Sequence, residues 1–116
     1  MSKNYELIRE NGKIVDVKVD GKPVKRSFIR GLKKAQNTSY WKEYKTEGVA
    51  ENPFSGIQIK LNPLEWSILT WCQAWYYGDY DVNMYTGNFQ APIQAYDEMK
   101  YFLLSLNSKA YYELLD

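Results

Sequence analysis

The chain has no histidine, and its 116 residues include a single cysteine. Without His, the usual Ser–His or Cys–His nucleophile pair cannot be assembled, and a zinc site would have to be built from carboxylates and one thiolate. One Cys cannot close an internal disulfide, which fits a reducing compartment. The seven glycines are scattered at turns, and none forms GxGxxG or GxxxxGKS/T, so no phosphate-cradling loop is present. No stretch reaches the roughly 18 uncharged apolar residues of a membrane span, and the opening MSKNYELIRENGK lacks the apolar run of a signal peptide. These absences predict a cytoplasmic protein with no catalytic residues, metal or cofactor, and no membrane partner.

Aromatic residues are abundant: eleven tyrosines and four tryptophans help bring the aromatic share to 16%. Tyrosine joins an apolar body to a polar tip and suits half-buried positions and interfaces. Two readings follow, a Tyr-rich rim around a small core or an aromatic contact surface. Net charge is only +1, but it is divided along the chain. Residues 1–49 carry twelve Lys/Arg against six Asp/Glu, a net +6, and residues 50–116 carry three against eight, a net −5. The halves could attract each other across the fold, or the basic half could face an acidic partner.

The most apolar stretch is NPLEWSILTWCQAWYYG, residues 62–78. Asn62 suits a helix N-cap, Pro63 a first helical residue and Glu65 the first turn, and Gly78 suits the close. Leu64, Ile68, Trp71, Cys72 and Trp75 share one face, and Trp66, Leu69 and Tyr76 extend the apolar surface around the helix. The pattern predicts a central helix with Trp71 and Trp75 buried. Cys72 lies on the same face, as an inert buried thiol rather than a nucleophile.

Upstream, Tyr5–Glu10 and Lys13–Val19 flank Asn11-Gly12, a two-residue hairpin signal. Val15, Val17 and Val19 alternate with Ile14, Asp16 and Lys18. Asp20-Gly21 marks a second turn, and Pro23 belongs on a sheet edge. Residues 1–24 therefore read as a meander. Residues 25–47 read as a basic helical portion: Val24, Phe28, Leu32 and Ala35 form an apolar stripe, with Arg26, Arg30, Lys33 and Lys34 opposite. Gly31 costs that helix roughly 1 kcal/mol against Ala. Tyr40 and Tyr44, with Trp41 between them, suggest a short second helix over 40–45. Residues 48–56 have the composition of a connection. Ile57, Ile59 and Leu61 alternate as a strand, expected to join the meander in one sheet. Residues 79–91 form a long connection, and long connections often carry function. Pro92 is expected to open a helix to Leu106, followed by a short helix capped by Asn107-Ser108. The whole predicts a single α+β domain, a small antiparallel meander packed against about four helices, with residues 57–116 as strand plus helical core.

Three constellations carry chemistry. Asp79 with Asp81 and Asp97 with Glu98 are carboxylate pairs able in principle to bind a cation. A solvated loop accounts for the first, and a place in the first turns of a helix for the second. Residues 22–45 hold eight basic side chains against one acid, Glu43. Arg26, Arg30, Lys33 and Lys34 with Trp41 nearby match the pairing of phosphate-binding cations and stacking aromatics that holds single-stranded nucleic acid, and would serve an acidic protein equally well. Tyr80, Met84, Tyr85 and Phe89 in the long connection are residue types favoured at protein interfaces, and either bind a partner or fold back over the helix ends.

The phrases NPFSGIQIKLNPLEWSILTWCQAWY and PIQAYDEMKYFLLSLNSKAYYELLD resemble small uncharacterised proteins encoded by tailed bacteriophages, over about the C-terminal two thirds of the chain. The resemblance rests on the LNP helix start and the AYYELLD end, and brings no activity or site residue. It implies a small viral product, in host cytoplasm or virion, of a class that acts more often by binding a larger partner than by catalysis. The sequence thus supports three functions: an interaction protein on a host or viral protein, a nucleic-acid-binding protein using the helix over 25–36, or a structural component of a virus particle.

Overall fold

A computed structural model describes residues 4–38, 41–77 and 90–115. Strands β1 (Tyr5–Glu10), β2 (Lys13–Val19) and β3 (Lys22–Pro23) form one antiparallel sheet in the order β1-β2-β3. Both expected turns are present: Asn11 and Gly12 lie at φ 54° and 79°, Asp20 and Gly21 at 52° and 81°. Two successive positive angles are what a type I′ hairpin turn requires.

The alternation expected along β2 breaks at one residue. Ile8 pairs with Asp16 and Arg9 with Ile14, so Val15 is an extra residue, a bulge. Parity flips there, and Ile14 and Val17 both reach the core although they stand three apart. On the far edge of β2 the Gln36 side chain acts as a strand surrogate. Its Oε1 accepts from Ile14 N (2.9 Å) and its Nε2 donates to Ile14 O (2.8 Å).

Helix α1 (Arg26–Gln36) lies over β2 and packs along α3 (Gln90–Leu106). Its buried face comprises Ile29, Gly31, Leu32 and Ala35, with Phe28 stacked on Phe102 at 5.1 Å. Gly31 sits where the two helices touch. A Cβ there would meet Glu98 Cβ at 2.6 Å, so the helix accepts a poor helix former to allow close approach.

The strand at residues 58–61 does not join the meander. As β5 (Gln58–Leu61) it pairs with β4 (Gly48–Glu51) in a separate two-stranded sheet, within the stretch expected to be only a connection. The nearer partner wins because closing a short loop costs less entropy than closing a long one. Gly48 lets β4 cross the Trp66 ring, which a Cβ would meet at 2.7 Å. Residues 41–45 form no helix either. Tyr44 N donates to the buried Ser67 Oγ (2.8 Å), and Trp41 packs on the core, so tertiary contacts override the helical spacing. Tyr40 lies outside the described residues.

Helix α2 (Pro63–Tyr77) is the central element. Asn62 Oδ1 accepts from Glu65 N (2.8 Å) while Glu65 Oε1 accepts from Asn62 N (3.1 Å), a reciprocal capping box. Ile68, Leu69, Trp71 and Cys72 are fully buried, whereas Trp75 is half-buried, stacked on Tyr96 at 4.3 Å. Helix α3 begins at Gln90 rather than Pro92, which places Pro92 in the first turn, where a missing N–H costs no hydrogen bond. Asp97 and Glu98 consequently stand two turns in, and the expected dipole role does not apply. Helix α4 (Ser108–Leu114) starts from Asn107, whose side chain accepts from Ala110 N (3.1 Å). The described chain is an α+β fold with four helices and two small antiparallel sheets.

Candidate functional site

A cavity of about 650 Å³ opens where β1, β5, the start of α2 and the α3–α4 junction meet, and Glu65 lies within its wall. Glu65 is only 6% exposed. Its Oε2 accepts from the Tyr5 hydroxyl (2.7 Å), and its Oε1 accepts from Asn62 N and, at 3.4 Å, from Asn107 Nδ2. Burial, reinforced by donation to Glu65, pushes the Tyr5 phenol up. Both Glu65 oxygens are thus committed to joining β1, α2 and α4, and the arrangement is a structural junction. Burial likewise pushes the Cys72 thiol up, which keeps it from acting as a thiolate nucleophile.

The basic residues behave differently. Arg26, Arg30, Lys33 and Lys34 share the outward side of α1, opposite its buried face. Arg26 forks onto Asp16 (2.9 and 3.4 Å), and Arg30 binds Glu98 Oε2 through Nε (2.9 Å) and Nη2 (2.8 Å). The Arg26 guanidinium holds the Asp16 carboxyl below its usual range. Trp41 is not available beside these cations as an open stacking platform: it is half-buried against the core. Tyr44 is also engaged, edge-on to Trp66 at 5.4 Å with the Lys42 ammonium over its ring. Of the ion pairs among the described residues, only Arg30–Glu98 ties the basic N-terminal half to the acidic C-terminal helices. Among the described residues, then, the charge division along the chain is met by that one pair alone.

One ion pair carries a pH dependence. Arg9 donates to both Glu43 oxygens (Nη1 to Oε1, 2.9 Å), and Lys45 adds a third contact at 2.8 Å. Arg9 is the main reason the Glu43 carboxyl is pushed down to about 2. Because the folded value lies below the ordinary one, this stabilisation is complete above the ordinary carboxylate range and is lost as pH falls toward 2. Arg9→Gln should return the Glu43 titration, followed by NMR, most of the way to the ordinary carboxylate value; an unmoved midpoint would contradict the assignment.

Tyr80, Met84, Tyr85 and Phe89, and the Asp79–Asp81 pair, lie outside the described residues. Among the described residues no group of three or more His, Cys, Asp or Glu could hold a metal, and no helix is long and apolar enough to cross a membrane.

A site that the sequence reading passed over stands at the tip of the β4–β5 hairpin. Asn52 builds the turn: its Oδ1 accepts from Phe54 N (2.8 Å) and Ser55 N (3.2 Å), and its carbonyl accepts from Gly56 N (2.9 Å). Its Nδ2 donates to Glu113 O (2.6 Å), tethering the tip to α4. Phe54, on this frame, is 97% exposed, with Val49 and Ile57 also exposed on the same hairpin. The signal available in the sequence was Asn52-Pro53, a turn-initiating pair, between two short apolar runs. No protein-family model matches this chain, and no curated protein or solved structure matches it.

Proposed function

We propose that this chain is a non-enzymatic interaction protein that docks on a larger protein through the β4–β5 hairpin, with Phe54 as anchor. The carrying observation is a phenylalanine almost wholly in water on a turn that its own hydrogen bonds hold rigid. Burying such a ring contributes roughly 1.5–3 kcal/mol, and a preorganised turn loses little entropy on binding. Aromatic side chains are enriched in interface cores. A partner would present an apolar pocket to the ring.

The test compares wild-type protein with Phe54→Ser as bait for affinity capture from the cells that produce it. The ring touches little of its own chain, so the variant should melt within about 2–3 °C of wild type, as surface changes do. Loss of the captured partner at unchanged melting temperature supports the hairpin as the docking element; equal capture by both baits refutes it.

A further inference from the structure

The outward side of α1 forms a second surface, separate from the hairpin. Arg26, Arg30 and Lys33 recur at intervals of four and three residues, so they project along one line of the helix, with Lys34 beside them. At 1.5 Å per residue the run spans about 12 Å. The arginine side chains are 60% and 62% exposed even though they are paired. Arg30 uses only Nε and Nη2 on Glu98, which leaves Nη1 available. Lys33 makes no ion pair among the described residues, and Lys34 reaches only Gln94 Oε1, at 3.4 Å. Lys13, which donates to Asn37 Oδ1 (2.6 Å), adds a cation at the C-terminal end of the helix.

The surroundings of this stripe narrow the kind of partner it fits. The exposed large apolar side chains among the described residues are Val49, Phe54, Ile57, Tyr76, Tyr101 and Tyr112; none belongs to α1, and Tyr101, which lies against α1, lines a groove with Lys25, Ser27 and Phe28 and with none of the stripe cations. Protein hot spots are built on apolar or aromatic anchors, and a membrane-surface helix needs an apolar face to insert. A row of phosphates needs neither. Single-strand binding relies on aromatic rings that stack bases, and Trp41 and Tyr44 are turned to the core and to Trp66. A duplex backbone can be held by Lys and Arg on its phosphates without any stacking ring.

We infer that the Arg26–Lys34 stripe binds the sugar-phosphate backbone of double-stranded nucleic acid without sequence preference. The Asp16 and Glu98 carboxylates orient the two guanidiniums, and Lys33 and Lys34 supply charge that no ion pair among the described residues neutralises. With about four phosphate contacts, log K should fall with log salt at a slope of about −3 to −4.

Fluorescence anisotropy of a labelled short DNA duplex, titrated with the full chain between about 50 and 200 mM salt, measures this slope. The expected result is equal binding to two duplexes of unrelated sequence. Lys33→Gln with Lys34→Gln should make the slope shallower by about two, with no change in melting temperature, because neither lysine is held in an ion pair among the described residues. Phe54→Ser should bind the duplex like wild type, which separates this surface from the hairpin. No binding at the lowest salt, or a wild-type slope in the double-lysine variant, overturns the inference. So does binding to polyglutamate or anionic vesicles with none to the duplex, which would assign the stripe to an acidic protein or a lipid surface.

Discussion

Trp71→Ala should lower the stability of the fold by about 3–5 kcal/mol, read as a fall in the urea midpoint at unchanged slope. Trp71 is fully buried at the centre of α2, so its removal loses a large transfer term and leaves a cavity that the packed helices can only partly fill. The loss is also polar. Its indole N–H donates to Thr38 Oγ1 at 2.8 Å, and that hydroxyl donates in turn to Ala35 O at 2.7 Å. The pair fastens the end of α1 to the middle of α2, so the truncation loosens a connection between elements as well as the core. Trp71→Phe, which keeps most of the apolar volume but not the donor, should cost less, about 1–2 kcal/mol. An alanine variant with the wild-type urea midpoint would show that the centre of α2 does not carry the fold.

Glu65→Ala should cost about 2–4 kcal/mol, unusual for a carboxylate in a chain of this size. The side chain closes the capping box of α2 and accepts from Tyr5 and Asn107, so truncation strands three donors around a buried position. Stranded buried donors cost more than the same hydrogen bonds gain when made. Tyr5→Phe leaves Glu65 Oε2 without its donor but keeps the capping box and the Asn107 contact, and should cost less, about 1–2 kcal/mol. If the two variants unfold at the same urea concentration, the junction is held by Tyr5 alone and the capping box adds nothing.

Much of this fold was legible in local chemistry. The two turns at Asn11-Gly12 and Asp20-Gly21 need positive angles that few residues supply, and the start of α2 is written in Asn62, Pro63 and Glu65. What was not legible depended on distant contacts. The alternation of Ile57, Ile59 and Leu61 states that a strand exists but not which strand it meets, and β4, four residues with only Val49 and Ala50 as apolar signal, was hidden in turn-like composition. The bulge at Val15 leaves no mark in the alternation itself. Tyr40, Trp41 and Tyr44 carried helical spacing, but Ser67 and the core claimed Tyr44 and Trp41. The same division holds for function. The cation stripe was readable because helical spacing projects it directly, whereas Phe54 was not, because composition is silent on whether a ring is covered.

Gln36 has a consequence for how the molecule behaves among its own copies. An open strand edge is a template on which another chain can add a strand and begin to aggregate. On the far side of β2 that template is closed piecemeal: the Gln36 amide takes both backbone groups of Ile14, Val24 N donates to Val17 O (3.3 Å), and β3 covers Lys18 and Val19. Because part of the seal is a side chain of α1, it lasts only while α1 is docked. Self-templating on this edge is thereby confined to partly opened molecules, and its rate should track the population in which α1 has lifted rather than the total concentration of folded protein.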